Sequence, residues 1–147
     1  MAGKRLRIGL RGLVLSLLMG LPAFNQAGQA ADQFPFDREL LLDVAPMRPV
    51  KRVPVLSVEA NGNARIDLWC KTVRARVELS DAAISIEPAA LPDGLPAMMS
   101  DGQCTPARIS ADLDLLAALT QVTAWREQGG ALILAGAKAL KFRAAAN

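Results

Sequence analysis

Arg65-Ile66-Asp67-Leu68-Trp69-Cys70 and, after Lys71-Thr72, Val73-Arg74-Ala75-Arg76-Val77-Glu78-Leu79 are the stretch on which the fold turns. Successive side chains of a strand point to opposite faces. The first run puts Ile66, Leu68 and Cys70 on one face and Arg65, Asp67 and Trp69 on the other. The second puts Ala75, Val77 and Leu79 inward and Arg74, Arg76 and Glu78 outward. Two half-buried strands joined by a short link read as an antiparallel hairpin. Charge selects its register. With Cys70 opposite Val73, Arg65 meets Glu78, Asp67 meets Arg76 and Trp69 meets Arg74, so every outward pair is complementary; a shift of two residues sets Asp67 against Glu78. Lys71-Thr72 is poor chemistry for a tight primed turn, which leaves a longer irregular loop open.

Short strands continue on both sides. Before the hairpin, residues 39–44 and 55–59 read as strands, with Pro46, Pro49 and Pro54 between them favouring extended or turn structure and Asn61-Gly62 marking a hairpin turn. An aromatic, proline-spaced stretch, Phe34-Pro35-Phe36, precedes them. After the hairpin, Ser80-Asp81 is a turn, residues 83–87 are a strand with Ile84 and Ile86 inward, and residues 88–102 are rich in proline and glycine. Three strands close the chain, over residues 122–127, 131–135 and 138–143, with Gln128-Gly129-Gly130 and Gly136-Ala137 as turns and Leu132, Leu134, Leu140 and Phe142 inward. Between these groups lies one helix. Thr105 is a fitting N-cap with Pro106 at the first helical position, Ser110 is an alternative cap, and the pattern runs to residues 119–121. Leu113, Leu116, Ala117 and Thr120 form its apolar stripe, widened by Leu115, Leu119 and Val122; Asp112 and Asp114 suit the positive end of the helix dipole. Seven or eight short strands with one helix predict a small, mostly antiparallel, barrel-like α+β domain.

Residues 1–30 read as a secretory signal peptide: Lys4, Arg5, Arg7 and Arg11 without an acid, an apolar run over residues 12–21 too short to span a bilayer, then Ala27-Gly28-Gln29-Ala30, with cleavage expected after Ala30. Arg5 and Arg7 are not adjacent, so the general secretory route is expected rather than the twin-arginine one. This segment holds four of the 17 Lys and Arg and none of the 14 Asp and Glu, leaving 13 bases against 14 acids in residues 31–147. The chain's excess of base therefore belongs to the export segment, and nucleic-acid binding, which wants a basic patch on the domain itself, is not expected. The remaining 117 residues are enough for one domain, expected to be a monomer without a transmembrane segment, in the periplasm or secreted.

Cys70 and Cys104 are the two cysteines. In an exported chain they read first as a structural disulfide, which on the chain-entropy model stabilises by roughly 3–4 kcal/mol. A redox thiol is a second reading, since Trp69-Cys70 is similar to the start of thioredoxin-like sites, although the second cysteine of Cys-x-x-Cys is missing. Buried reduced thiols are a third. The chain has no histidine, which excludes Ser-His-Asp and Cys-His arrangements and leaves a two-cysteine metal site short of ligands. Gly129-Gly130 and Gly136 fall in turns, not in a phosphate-binding loop. No catalytic residue, metal or cofactor is expected. The candidate binding residues are Trp69 with Arg74 and Trp125 with Arg126, because both rings are expected on the face opposite the inward aliphatics of their strands and aromatics beside arginine suit interfaces and sugar or peptide sites. The alternative is that the helix or the N-terminal segment covers both rings.

Cys104, Leu115-Leu116-Ala117-Ala118-Leu119, Trp125, Gly130-Ala131-Leu132-Ile133-Leu134 and Leu140-Lys141-Phe142 together resemble the second half of a META domain, the family of the HslJ heat-shock protein; Asn61-Gly62 through Cys70 to Glu78, then Ile84 and Ile86, resemble its first half. The likeness covers residues 55–143 and is that of a divergent member, with Trp69-Cys70-Lys71 where the family has Gly-Cys-Asn. It implies a small, export-associated, mostly antiparallel domain linked to the cell envelope and to stress responses, with no established catalytic residues. The expected function is that of a non-enzymatic envelope module contacting an envelope protein, with small-ligand or peptide binding and thiol redox chemistry as alternatives.

Overall fold

The computed structural model of the chain describes residues 34–49, 51–90 and 102–146. The expected signal peptide and most of the loop expected over residues 88–102 lie outside the described residues. Eight strands form one closed antiparallel barrel: β1 (Glu39–Leu42), β2 (Val55–Val58), β3 (Asn63–Asp67), β4 (Thr72–Ser80), β5 (Ala83–Pro88), β6 (Val122–Gln128), β7 (Ala131–Gly136) and β8 (Leu140–Ala144). Each strand pairs with the next in sequence, and β8 returns to β1. The helix α1 (Pro106–Thr120) lies between β5 and β6. This is the small barrel-like α+β fold expected from the strand spacing.

The alternation places the core. Leu40 and Leu42, Leu56 and Val58, Ala64 and Ile66, Val73 and Val77, Ile84 and Ile86, Leu132 and Leu134, and Leu140 and Phe142 are buried inside, while the intervening Arg65, Arg74, Arg76, Glu78, Glu87, Lys141 and Arg143 face outward. Polar groups outside and aliphatics inside is the reverse of a membrane-spanning barrel, whose apolar residues face lipid. Among the described residues no helix is long and apolar enough to cross a membrane.

Turn chemistry sets the hairpins. Glu59 accepts from Gly62 N at 2.9 Å, and Gly62 sits at φ +83, so a three-residue loop joins β2 to β3 with glycine in the left-handed position. A Cβ on Gly62 would lie 2.6 Å from Val77 O, so the residue is required twice over. Gly129 and Gly130, both at positive φ, make the two-residue turn between β6 and β7.

The central hairpin departs from the expected register. Arg65 faces Arg74, Asp67 faces Thr72 and Ile66 faces Val73, four residues from the charge-matched pairing. β3 stops at Asp67, and residues 68–71 form a loop closed by Leu68 N donating to Lys71 O at 2.7 Å. Leu68, Trp69 and Cys70 are all buried, at 0 %, 6 % and 0 % exposure. Burying three consecutive apolar side chains requires leaving the strand, whose geometry would send Trp69 outward. The burial of a leucine or an aromatic, roughly 1.5–3 kcal/mol each, outweighs outward charge pairs worth 0.2–1 kcal/mol. Arg65 is matched instead within its own strand, its guanidinium 3.0 Å from Asp67 Oδ1.

Two further expectations change. A β-bulge between Val122 and Ala124 reverses the facing of the rest of β6, so Val122 and Trp125, three apart, both turn inward. In α1 the buried face is Arg108, Asp112, Leu115 and Leu119, with Ala118 beside it, whereas Leu113, expected in the apolar stripe, is 53 % exposed.

Candidate functional site

In an up-and-down barrel successive connections fall at opposite ends. One end carries the β1–β2 connection, the 68–71 loop, the β7–β8 connection and α1. Thr105 caps α1, its hydroxyl accepting from Arg108 N at 3.3 Å, with Pro106 at the first helical position as expected. Cys70 and Cys104 form a disulfide with Cα atoms 5.6 Å apart, fastening the 68–71 loop to the residue before that cap. Two turns further along, Asp112 accepts the backbone N–H groups of Trp69 at 2.9 Å and Cys70 at 3.1 Å. Arg108, 1 % exposed, donates to Gln103 O and to Met47 O, so the β1–β2 connection joins the same corner.

Asp112 is therefore not the solvent-facing dipole partner expected of it. It replaces the strand partner that the amides of Trp69 and Cys70 lost when β3 ended. Burial pushes its carboxyl above the ordinary value, opposed by the two N–H bonds and by the positive charges of Arg52 and Lys71. A sequence signal for it exists: residues 108, 112, 115 and 119 share one helical face, so the Arg and Asp stand on the same stripe as the buried leucines.

The candidate binding residues are not assembled into one site. Trp69 is buried in the corner, and its Nε1–H has no hydrogen-bond acceptor among the described residues. Arg74 is exposed on the outer wall opposite Arg65, so it does not pair with Trp69. Trp125, 5 % exposed, lies inside toward the other end of the barrel, packed edge-on to Phe34 at 5.1 Å and donating Nε1–H to Asp81 O. Arg126 next to it is exposed. Both indoles are thus covered, one by the helix corner and one by the Phe34-Pro35-Phe36 segment.

Beside the corner, a groove of about 280 Å³ opens between α1 and the mouth of the barrel. Leu42, Trp69, Leu115 and Leu140 are the apolar residues at its base, and Lys138, Lys141, Asp43 and Asp114 stand on its rim. Asp43 Oδ2 is 3.2 Å from Lys141 Nζ and 2.8 Å from Arg143 Nη2. The hydrogen bond from Lys141 and the charges of both cations hold the Asp43 carboxyl below its ordinary range. Among the described residues no three His, Cys, Asp or Glu stand together as a metal site. No family model, curated protein or solved structure matches this chain.

Proposed function

We propose that this chain is an exported, non-catalytic module of the cell envelope, a divergent META-like domain that acts by contact rather than by bond chemistry. The observation that supports this reading is the fastened corner. A disulfide, a buried carboxylate on two backbone amides and a buried arginine on two carbonyls all serve to hold α1 across one end of a filled barrel. Disulfides persist in oxidising compartments, which agrees with the leader-like residues 1–30 and with a periplasmic or secreted protein. The thiol redox alternative is disfavoured, because Cys70 is 0 % exposed and redox cysteines are accessible.

Expression of the full chain in a bacterial host, followed by fractionation and intact-mass analysis, tests this. The expected product is in the envelope or medium, shortened by residues 1–30, and takes up no thiol reagent until it is unfolded and reduced. A full-length cytoplasmic product with a reactive Cys70 overturns the proposal. A second reading, small-ligand or peptide binding, is favoured by the groove between α1 and the barrel mouth.

A further inference from the structure

We infer that the groove between α1 and the β1/β8 mouth of the barrel binds a free single-chain anionic amphiphile, an alkyl carboxylate. The inference rests on the ligand-binding reading and is independent of export and of the redox state of the cysteines.

The groove measures about 280 Å³, just below the range of about 300–1,000 Å³ usual for small-molecule sites, which suits a single alkyl chain. The base is apolar, built from Leu42, Leu115 and Leu140, which are 5 % exposed, with the wall of Trp69 beside them. Val44, 42 % exposed, extends this apolar surface onto the lip. Small-molecule sites have this composition, an apolar lining with a few polar groups that fix orientation.

Charge sets the head group. The β8 side of the rim carries Lys138 and Lys141, with Arg143 next along the strand; the carboxylates are Asp43 and Asp114. Asp43 is shared between Lys141 and Arg143, so two cations already bracket one acid. Lys138 has no ion-pair partner among the described residues, and the local sum is one positive charge in excess. A carboxylate supplies an anion for Lys138, with its alkyl chain on the leucines and beside the Trp69 ring.

The two tryptophans provide the readout. They lie toward opposite ends of the barrel, and the Nε1–H of Trp125 is already bonded to Asp81 O. The full chain, labelled with ¹⁵N, is titrated with decanoate while both indole N–H signals are followed, Trp125→Phe identifying which is which. The expected result is a saturable shift of the Trp69 signal with that of Trp125 unmoved, and binding of decyltrimethylammonium about tenfold weaker. Lys138→Glu, a change at an exposed position, weakens decanoate about tenfold, and Asp114→Asn strengthens it severalfold. Equal binding of the cationic amphiphile, movement of both indoles, or no shift with decanoate overturns the inference. So does attachment to anionic phospholipid vesicles without a response to free decanoate, which would make this surface a membrane contact instead. Failure of any of these arms leaves the export and thiol measurements above untouched, so the two readings fall separately.

Discussion

Removing the Asp112 carboxylate by Asp112→Ala strands two backbone donors, Trp69 N and Cys70 N, in a corner where both residues are 6 % exposed or less. Each buried donor left without a partner costs about 1–3 kcal/mol, giving about 2–6 kcal/mol for the pair. Part of this is returned, because the carboxylate itself is unfavourably desolvated, as its raised pKa records. The expected net loss is about 2–4 kcal/mol, or about 10 °C in Tm for a domain of this size. Chemical denaturation followed by tryptophan fluorescence, with the disulfide intact, measures it. Asp114→Ala, two residues on and exposed, is the control and is expected to stay within about 0.5 kcal/mol. The pH dependence carries a definite sign. Asp112 has a folded-state pKa above its unfolded value, so the folded state binds the proton more tightly and gains stability as pH falls through the folded pKa. The gap between the native chain and Asp112→Ala is therefore expected to widen from pH 7 to pH 3. Asp43 and Asp67, both lowered, push the other way in both proteins and drop out of the difference. A loss below about 1 kcal/mol refutes the account of Asp112 as the partner of the 68–71 loop, whereas a gap that narrows on acidification would mean that the two N–H bonds outweigh the cost of burial.

Replacing both cysteines by alanine opens a link across 34 residues of separation and is expected to cost about 3.8 kcal/mol on the chain-entropy model, read as a fall in the denaturation midpoint; a loss under about 1 kcal/mol would show that the staple adds little to a corner already held by Asp112 and Arg108. Gly62→Ala, at φ +83 and with its Cβ 2.6 Å from Val77 O, is expected to lower stability by at least about 1–3 kcal/mol in the same assay. Leu119→Ala, at 0 % exposure, is expected to cost about 2–5 kcal/mol, whereas Leu113→Ser, on the outer face of α1, is expected to change stability by no more than about 0.5 kcal/mol; reversal of that order would mean that the helix is rotated from the orientation described.

Most of the barrel was legible because alternation and turn residues are local. The strands at residues 83–88 and 131–136, the Gly129-Gly130 turn and the Thr105-Pro106 helix start follow from side chains within a few positions of one another. The errors share a different cause. The register of the central hairpin, the facing of Trp125 and the buried stripe of α1 each differ from what a regular, isolated element would show. Each is set by something outside that idealisation: a strand that ends early, a bulge at residues 122–124 and a corner shared with residues 42 apart in sequence.

The three departures are also linked physically. Leu68-Trp69-Cys70 enters the core as a run, so β3 must stop and the Trp69 and Cys70 amides lose their strand partners. A hydrogen-bond acceptor is then needed opposite them. Only a face of α1 that carries Asp112 supplies it, and turning that face inward turns Leu113 out. The disulfide fixes the start of the helix beside the loop that it must cap. On this chain of causes the exposed side of α1 is a consequence of satisfying two amides, and Leu113 alone is no argument for a partner there. The groove differs because its apolar base and its unmatched lysine coincide at one place, which the independent demands of the corner do not require.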